Sequence, residues 1–328
     1  MKIITNKNTL NAVMKTASRI ANPKASMPIL SHVAIDFDGE TCTITANDSN
    51  RTYSERFVAT GDPGQCTIEA AKLAKAVAGM KSGDIELTPD QIRQGRSKLK
   101  LESRSYADFP QPDYEDSTDC GITAQQLKAA IASVGHALPT KDVRPMLNGV
   151  HLCEGFAVAT DGLKLAYAEL EYSGGAIIIP AETVRQMPDI DGKVAVSERQ
   201  IIIDGESCRF TSNLIEQKYP DWQRFIPKDF KWECSVDGGQ LIEALKTAQL
   251  GGESVRIDAA NGEIVITNAN AETVVSADFE GEFKGAFFAQ YLIDAANAAG
   301  TDSLAFQVGS GRGEALINGH LLVMPVKL

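Results

Sequence analysis

Apolar residues recur at helical spacing in three widely separated stretches of the chain. Side chains three or four positions apart lie on one face of an α-helix, so each stretch predicts an amphipathic helix. In the second stretch, Thr123 and Gln126 also match the capping box that begins many helices. The three stretches are residues 8–21 (NTLNAVMKTASRIA, apolar at Leu10, Val13 and Met14), 123–138 (TAQQLKAAIASVGHAL, apolar at Leu127 and Ile131) and 240–250 (QLIEALKTAQL, apolar at Leu241, Leu245 and Ala248).

Each predicted helix is followed by a hairpin pattern, a second helix and further paired strands. The hairpin segments alternate apolar or β-branched residues with polar ones around a turn, which predicts antiparallel strands. They span residues 33–48, 149–162 and 255–270, and the segments that lead into a second helix begin at residues 66, 176 and 285. Strand patterns such as DIELTPDQIRQGRSKLKLES and GKVAVSERQIIIDGESCRFTS follow the second helix.

These elements form a threefold internal repeat. The first-helix markers Leu10, Leu127 and Leu241, and the second-helix markers Leu73, Val184 and Leu292, are all spaced by a little more than one hundred residues. Two independent markers with nearly the same period indicate repeated domains. Each repeat is predicted to be an α+β unit of two helices packed on antiparallel sheet. Polar links at DYEDSTDC and IPKDFKWEC place the domains at residues 1–119, 120–232 and 233–328.

Asp161, in the segment AVATDGLKLAYAEL, resembles a catalytic carboxylate at first sight. It lies in the repeated hairpin, where the other two repeats have Asn47-Asp48 and Ala269-Asn270. Asp and Gly favour turns for backbone reasons, so the position predicts a turn. A hydrolase that uses Asp161 is the weakest hypothesis, because no other member of a catalytic set accompanies it.

The net charge of −11 argues against a nucleic-acid partner only if charge is spread evenly. The six predicted helices contain eight basic and three acidic residues, so the net charge of the rest of the chain is more negative than −11. Two interpretations fit: a basic face built from the helices of all repeats, or ordinary solvated helix surfaces.

Several classes of site lack sequence support. The six cysteines include no C-x-x-C pair and the four histidines are dispersed, so we expect no metal or cofactor. We expect the cysteines to be the reduced thiols of a cytoplasmic protein. No apolar run has the length of a membrane span, and MKIITNKNTL lacks a secretory signal core. The segment DFDGE (36–40) resembles the start of a calcium-binding loop, but the twelfth position counted from Asp36 is Asn47 rather than the required glutamate. The glycine-rich segment GSGRGE (309–314) precedes no helix, so it does not predict a phosphate-binding loop. Both segments predict hairpin turns.

The sequence resembles the β subunit of bacterial DNA polymerase III, the sliding clamp family, over essentially its whole length. The matching segments occur in the family order: MPILSHVAI (27–35), GRSKLKL (95–101), ADFPQPD (107–113), DVRPMLNGVHL (142–152), VATDGLKLA (158–166), YPDWQRFIP (219–227) and MPVKL (324–328). The resemblance implies a non-enzymatic processivity factor with three clamp domains. Two chains would close into a six-domain ring, with helices lining the inside, antiparallel sheets outside and double-stranded DNA in the hole.

The resemblance also implies three sets of functional residues. A hydrophobic cleft would bind peptides of the polymerase III catalytic subunit and other partners, and a clamp loader would place the ring on DNA. The cleft residues are Leu147, Thr160, Gly162, Leu163, Lys164, Leu165, Pro220, Arg224, Phe225, Tyr291, Met324, Pro325, Val326, Lys327 and Leu328. The DNA-facing residues are Lys24, Lys141, Arg19, Lys72 and Lys75, and the homodimer interface contains Arg96, Leu99, Leu101 and Leu250, with Leu101 expected near Leu250 of the other copy.

Some positions depart from the family pattern. Leu163 and Lys164 stand where the family commonly has His and Arg, Pro145 and Met146 replace aromatic residues, and the loop after Leu250 is short. A chromosomal clamp and a phage- or plasmid-borne one both fit these departures. A monomeric peptide-binding scaffold derived from a clamp is the alternative function.

Overall fold

The order of helices and strands repeats three times along the chain. The computed structural model describes residues 1–113, 115–300 and 302–327. Every repeat runs strand, helix, three strands, a further strand, helix and three strands, and the first repeat has two additional short strands. The first repeat consists of β1 (Lys2–Asn6), α1 (Lys7–Ile20), β2 (His32–Phe37), β3 (Thr41–Asn47), β4 (Arg51–Val58), β5 (Thr60–Asp62), β6 (Gly64–Glu69), α2 (Ala70–Ala78), β7 (Asp84–Thr88), β8 (Gln91–Gln94), β9 (Ser97–Lys100) and β10 (Ser103–Arg104).

The other two repeats have the same order without the additional strands. The second consists of β11 (Thr118–Thr123), α3 (Ala124–Val134), β12 (Gly149–Cys153), β13 (Phe156–Thr160), β14 (Lys164–Glu169), β15 (Ile177–Pro180), α4 (Ala181–Gln186), β16 (Gly192–Val196), β17 (Gln200–Gly205) and β18 (Cys208–Asn213). The third consists of β19 (Phe230–Asp237), α5 (Gly238–Gln249), β20 (Ser254–Ala260), β21 (Glu263–Thr267), β22 (Glu272–Phe279), β23 (Phe283–Phe288), α6 (Ala289–Ala299), β24 (Ser303–Gly309), β25 (Ala315–Ile317) and β26 (Leu321–Val323).

The first helix of each repeat begins at a side-chain cap. Asn6 accepts from the Asn8 amide (2.9 Å) and Asp237 from the Gln240 amide (2.8 Å). At α3 the predicted capping box is confirmed: the Thr123 amide donates to Gln126 Oε1 (2.8 Å) and the Gln126 amide to Thr123 Oγ1 (3.2 Å). These bonds satisfy amides that the helix itself cannot pair, so short polar side chains determine where the helices begin.

Two of the second helices are short: α2 ends at Ala78, and α4 is only six residues long. α3 also ends early, at Val134, and is followed by a 3-10 turn over Gly135–Ala137. Gly79 and Gly135 follow directly after α2 and α3, and glycine has a low propensity to continue a helix.

The chain divides into two compact units. Unit 1 contains Met1–Leu127, Tyr172–Gly175 and Glu182–Ile215, and unit 2 contains Lys128–Glu171, Ala176–Ala181 and the chain from Glu216 onward. This division separates parts of the second repeat, so the domain limits predicted from the sequence stay predictions.

Each unit is built on antiparallel sheet. Unit 1 has a five-stranded sheet in the order β5-β1-β7-β8-β9 and a nine-stranded sheet in the order β10-β6-β2-β3-β4-β18-β17-β16-β11. Unit 2 has one sheet in the order β15-β12-β13-β14-β26-β25-β24-β19-β22-β21-β20-β23. In unit 1, α1 and α2 pack side by side, and in unit 2 α5 and α6 do the same. Their predicted apolar faces form the core, since Met14, Leu73, Leu245 and Leu292 are all fully buried.

Strands from consecutive repeats pair at two equivalent junctions. In unit 1, β4 of the first repeat pairs with β18, the last strand of the second, from Arg51 opposite Ser212 to Glu55 opposite Cys208. In unit 2, β14 of the second repeat pairs with β26, the last strand of the third. The strand of the third repeat that corresponds to β4 and β14 is β22, and the strand of the first repeat that corresponds to β18 and β26 is the edge strand β9.

The hairpin turn that contains Asp161 occurs in all three repeats with the same hydrogen bonds. Asp48 Oδ1 accepts from the Asn50 and Arg51 amides, and Asp161 Oδ1 accepts from the Leu163 and Lys164 amides. In the third repeat the equivalent residue is Asn268, whose Oδ1 accepts from the amides of residues 270 and 271. The sequence comparison of the repeats was therefore correct for Asp48 but misplaced the third copy by two residues.

Candidate functional site

An apolar cleft of about 220 Å³ lies in unit 2 beside the Asp161 turn. Strand β14, the loop before Phe225 and strand β26 form its walls. Its lining residues are Arg144, Leu147, Thr160, Gly162, Leu163, Lys164, Leu165, Pro220, Trp222, Phe225, Arg312, Leu322 and Met324.

The floor of the cleft comes from a pair of leucines on adjacent strands. Leu165 of β14 lies directly opposite Leu322 of β26, and they are 5% and 2% exposed. Leu147, 2% exposed, ends the 3-10 turn Pro145–Leu147 beside them. Because these side chains are held by sheet pairing and by a proline-initiated turn, the floor is formed before any ligand arrives.

An aromatic cluster supports one wall. Trp222 is buried and its ring lies 5.1 Å from Tyr167 and 5.5 Å from Phe156, measured between ring centres. Aromatic pairs at such distances add to the stability gained from burial alone. Trp222 therefore stiffens the segment that presents Phe225 to the cleft.

Arg144 lies at the rim with its charge already paired. Its guanidinium donates to both carboxylate oxygens of Asp142 (2.9 and 2.8 Å) and to the Asp161 carbonyl (3.0 Å). These hydrogen bonds lower the pKa of Asp142 to about 2. The guanidinium also covers Gly162, which has φ +93°, and a Cβ at this position would lie only 2.9 Å from Nη2. A glycine is needed there both for the backbone and for this close approach.

Lys164 joins the Asp161 turn to helix α6. Its side chain is nearly buried, its ammonium lies 2.9 Å from Asp294 Oδ2, and it lies 4.7 Å from the centre of the Tyr291 ring. Burial and then the Lys164 charge lower the pKa of His136. Burial and then the Asp161 carboxylate raise the pKa of Tyr291. The ion pair thus holds the cleft wall against a helix of the third repeat.

Phe225 separates the apolar cleft from a polar recess of about 290 Å³. The Arg224 guanidinium lies 5.2 Å and the Arg312 guanidinium 5.4 Å from the centre of its ring. Phe225, Arg312 and Met324 line both spaces, while Arg224 lines only the polar recess.

Strand β26 ends at Val323, directly before the segment MPVKL, and both faces of β26 are buried. After it, the Met324 amide donates to the Leu163 carbonyl (2.8 Å) and the Val326 amide to the Ala286 carbonyl (2.8 Å). Two backbone bonds, rather than a strand ladder, hold the tail along the cleft.

Nine of the predicted cleft residues lie together on the lining: Leu147, Thr160, Gly162, Leu163, Lys164, Leu165, Pro220, Phe225 and Met324. Arg224 lines the adjoining recess and Tyr291 contacts Lys164 behind the wall. Pro325, Val326 and Lys327 continue along the tail outside the lining, and Leu328 lies outside the described residues. The sequence prediction did not include Arg144, Trp222, Arg312 and Leu322 in the cleft.

Within residues 1–113, 115–300 and 302–327, no group of three or more His, Cys, Asp or Glu side chains could hold a metal ion. No helix in those segments is long and apolar enough to cross a membrane. All six cysteines fall in those segments and are free.

Two family models match successive parts of the chain. The model of the N-terminal domain of the DNA polymerase III beta subunit matches residues 1–113, and the model of its central domain matches residues 121–221. Together the two matches cover about two thirds of the chain. The chain belongs to the DNA polymerase III beta subunit family. This family is the beta sliding clamp, a non-catalytic processivity factor, so the chain is not an enzyme.

Similar clamps span the same length. The beta sliding clamp of Pseudomonas aeruginosa is 26% identical, with 96% of each sequence covered. The crystal structure of DNA polymerase III subunit beta from Pseudomonas aeruginosa superposes with a TM-score of 0.88 at 25% identity, covering 100% of both chains. A Helicobacter pylori beta clamp bound to a DNA ligase peptide has the same fold, with a TM-score of 0.87, 19% identity and 100% of both chains covered.

The predicted interface residues of this clamp differ in exposure. Leu99 on edge strand β9 is 42% exposed and Leu250 after α5 is 89% exposed, and Arg96 is exposed in the turn before β9. Leu101 is only 5% exposed, so its side chain already packs within its own chain. Leu99 is therefore the accessible leucine of the predicted pair.

The predicted DNA-facing residues are mostly on the surface. Arg19, Lys24, Lys75 and Lys141 are exposed, on α1, the loop after it, α2 and the loop after α3. Lys72 is half-buried, with its ammonium 4.0 Å from Glu102. Only the first four therefore have cations fully available to a phosphate backbone.

Proposed function

We propose that two copies of this chain close head to tail into a ring around double-stranded DNA, in the cytoplasm. Each copy contributes three clamp domains, residues 1–119, 120–232 and 233–328, so that the ring has six. The ring tethers the polymerase III catalytic subunit and other replication or repair proteins, and a clamp loader opens and places it.

The observation that carries this proposal is the unfinished third junction. Strands β4 and β14 each pair with the last strand of the following repeat. In the third repeat, residues 272–276 of β22 pair with β21 on one side, and within the described chain no strand pairs with their other side. In the first repeat, the strand equivalent to β18 and β26 is β9, which lies at a sheet edge. A second copy supplies the missing partner at both places, which also covers two edges that would otherwise invite aggregation.

Exposed apolar residues support the same closure. Among the large hydrophobic residues, Leu99 on β9, Val274 on β22 and Leu250 directly after α5 are 42%, 53% and 89% exposed. Burial of such side chains contributes about 25 cal/mol per Å² of apolar surface. The proposed interface contains these three residues together with Arg96, while Leu101 supports β9 from within its own chain.

DNA contact in this proposal is electrostatic and independent of sequence. Arg19, Lys24, Lys75 and Lys141 present cations to the phosphates, with Lys72 contributing less. Few contacts give weak binding that salt reduces steeply, and retention comes from the closed ring.

The peptide site is the apolar cleft beside Asp161. An apolar cleft with a few polar groups on its rim suits an extended peptide with hydrophobic anchors. The Helicobacter pylori beta clamp bound to a DNA ligase peptide has the same fold, which supports peptide binding by this chain. Replacing Leu165 by Ala is expected to weaken such peptides by about 1–3 kcal/mol, since the leucine is part of the floor.

Two measurements test the ring. Sedimentation velocity at micromolar concentration is expected to show a dimer, and replacing Leu99 by Asp is expected to give monomers, because a carboxylate would be buried without a partner. After loading, the ring is expected to stay on nicked circular DNA and leave linear DNA from its ends. A wild-type monomer would favour the peptide-binding scaffold, and equal loss from both DNAs would refute topological retention.

A further inference from the structure

Strand β19 has two edges that are paired to different extents. The alternation in FKWECSVD buries every second side chain from Trp232 onward, so one face of the strand packs on the core. Along one edge, β19 pairs with β24 from Phe230 to Asp237. Along the other edge, β22 pairs only with residues 234–236. Within the described chain, residues 230–233 therefore have no strand on this second edge.

The open edge arises because the chain turns away from β19 where β22 ends. β22 ends at Phe279, and Gly281 then adopts φ +79°, a left-handed conformation that glycine accepts easily. The next strand, β23, pairs with β20 instead of β19. A groove of about 880 Å³ lies at this place, lined chiefly by residues 228–235 and 278–280.

The backbone along the groove can accept a further strand. A strand directs the backbone groups of alternate residues to the same edge, so at least one of residues 231–233 presents its N–H and C=O to the groove. The open stretch of four residues spans about 13 Å, at roughly 3.3 Å per residue. An extended segment that pairs with such an edge gains affinity from main-chain hydrogen bonds and specificity from its alternate side chains.

The side chains around the open edge are mostly acidic. Glu233, Asp278 and Glu280 are exposed beside it, and no cation of the described residues pairs with any of these carboxylates. Glu233 only accepts from the neutral Nε2 of Gln307 (3.1 Å). The charged residues of the lining are Asp229, Glu233, Asp278, Glu280, Lys228 and Lys231, four carboxylates and two ammonium groups. The groove therefore favours a cationic ligand.

We propose that the open edge of β19 binds an extended basic segment of a partner protein, which adds to the sheet as a short strand. Lys or Arg side chains at every second position of the segment face Glu233, Asp278 and Glu280, since side chains two residues apart project from the same face of a strand. Opposite charges on neighbouring strands stabilise their pairing, whereas two copies of this edge would bring like charges together. The groove shares no lining residue with the apolar cleft, so both can be occupied at once.

The test uses a labelled, acetylated and amidated peptide of six residues in which Lys and Thr alternate. Fluorescence anisotropy measures its binding to the full chain, and a peptide with Glu in place of Lys is the charge control. Two further forms carry N-methyl groups on the backbone nitrogens of either the three lysines or the three threonines. Only one of these sets of N–H groups faces β19 in an added strand, so the two forms separate strand pairing from general attraction between charges.

The chain variants are E233Q, D278N and E280Q, with E243Q as a matched control that removes an exposed carboxylate from α5 of the same unit. Each groove variant is expected to weaken binding of the Lys-Thr peptide about two- to fivefold, while E243Q leaves it unchanged and high salt weakens it throughout. One N-methylated form is expected to bind about tenfold more weakly than the parent peptide, and the other within about threefold of it. Hydrogen exchange at residues 230–233 is expected to slow when the parent peptide binds.

Four results would overturn the proposal. Equal affinities of the two N-methylated forms, or unchanged hydrogen exchange at residues 230–233, would exclude an added strand. Equal effects of E243Q and the three groove variants would exclude this groove as the binding site. Equally tight binding of the Glu peptide would exclude selection by charge, and no binding of the Lys-Thr peptide would exclude a basic segment as the ligand.

Discussion

Replacing Lys164 by Met tests whether the buried ion pair with Asp294 holds the cleft wall. The methionine retains most of the apolar length of the lysine side chain and removes only its charge. The change leaves the Asp294 carboxylate with Gln290, whose Nε2 donates to Oδ1 at 2.7 Å, and with limited access to water. We therefore expect a loss of stability that comes from an uncompensated carboxylate rather than from a cavity.

The size of the expected stability loss follows from the exposure of the two paired side chains. The Lys164 and Asp294 side chains are 10% and 26% exposed, so the pair is largely removed from water. Breaking a fully buried pair by removing one partner costs about 3–5 kcal/mol. Asp294 still accepts a hydrogen bond from Gln290 and is partly exposed to solvent. We therefore expect K164M to lower the free energy of unfolding by about 2–3 kcal/mol. Replacing both residues by apolar ones, K164M/D294L, is expected to cost less than K164M alone.

Urea unfolding followed by tryptophan fluorescence measures this effect. Both tryptophans, Trp222 and Trp232, are buried in unit 2, as are Lys164 and Asp294. The matched control is K284M in the same unit, which breaks an exposed pair with Asp258 (3.8 Å, 76% and 35% exposed) and is expected to cost at most about 1 kcal/mol. A second readout is the His136 imidazole in NMR: K164M is expected to raise its pKa, because the Lys164 charge lowers it in the wild-type chain. Equal losses in K164M and K284M would refute the argument from burial.

Two further predictions concern stability. Replacing Arg51 by Met is expected to lower the free energy of unfolding by about 3–5 kcal/mol, because Asp48, with a side chain 4% exposed, loses its partner while Glu182 remains in solvent. Urea unfolding followed by circular dichroism measures this loss, and a value below about 1 kcal/mol would contradict the prediction. Burial lowers the pKa values of His136 and His151, so the unfolded chain binds protons at higher pH than the folded one. Stability is then fully present above about pH 6.5 and falls as the pH drops below it, by up to about 1.4 kcal/mol per pH unit for each histidine; a urea midpoint that does not fall between pH 7 and 5.5 would contradict this.

The repeat and its turns could be predicted from sequence because they depend on local chemistry. Helical spacing, the capping box at Thr123 and the Asp161 turn are all determined by side chains within a few residues of each other. The same locality explains the error at Asn268: either of two asparagines could occupy the turn, and only the backbone hydrogen bonds distinguish them. The end of α3 at Val134 was also missed, since Gly135 competes there with the apolar pattern.

The cleft residues that the sequence analysis missed come from contacts between distant segments. Arg312 lies in a glycine-rich loop with no apolar pattern, and its role depends on meeting Phe225, nearly ninety residues earlier in the chain. Leu322 precedes the matching segment MPVKL, and only its pairing with Leu165 places it on the cleft floor. Trp222 stood within the matching segment YPDWQRFIP, so a bulky aromatic between two predicted lining residues was the available signal.

The two junctions seen within one chain carry ion pairs that the third junction lacks. The residue three positions after the turn Asp or Asn is Arg51 in the first repeat and Lys164 in the second, and each pairs with a carboxylate on the second helix of the next repeat. In the third repeat this residue is Ala271. Counted from their first residues, α6 and α2 align Asp294 with Lys75 and Tyr291 with Lys72. In the proposed ring, Ala271 therefore faces lysines of the other copy.

A glutamate at this position is expected to strengthen the ring. In A271E, the new carboxylate would meet Lys72 and Lys75 of the other copy, with the charges reversed relative to the pair of Lys164 with Asp294. We expect the dimer to dissociate several-fold less readily at low salt, with the gain lost as salt increases, because the pair lies at the edge of an interface. Sedimentation equilibrium measures the change, with A271Q as the neutral control and A271K expected to weaken the dimer by like-charge repulsion. Equal dissociation constants for A271E and A271K would mean that the third junction does not repeat the geometry of the first two.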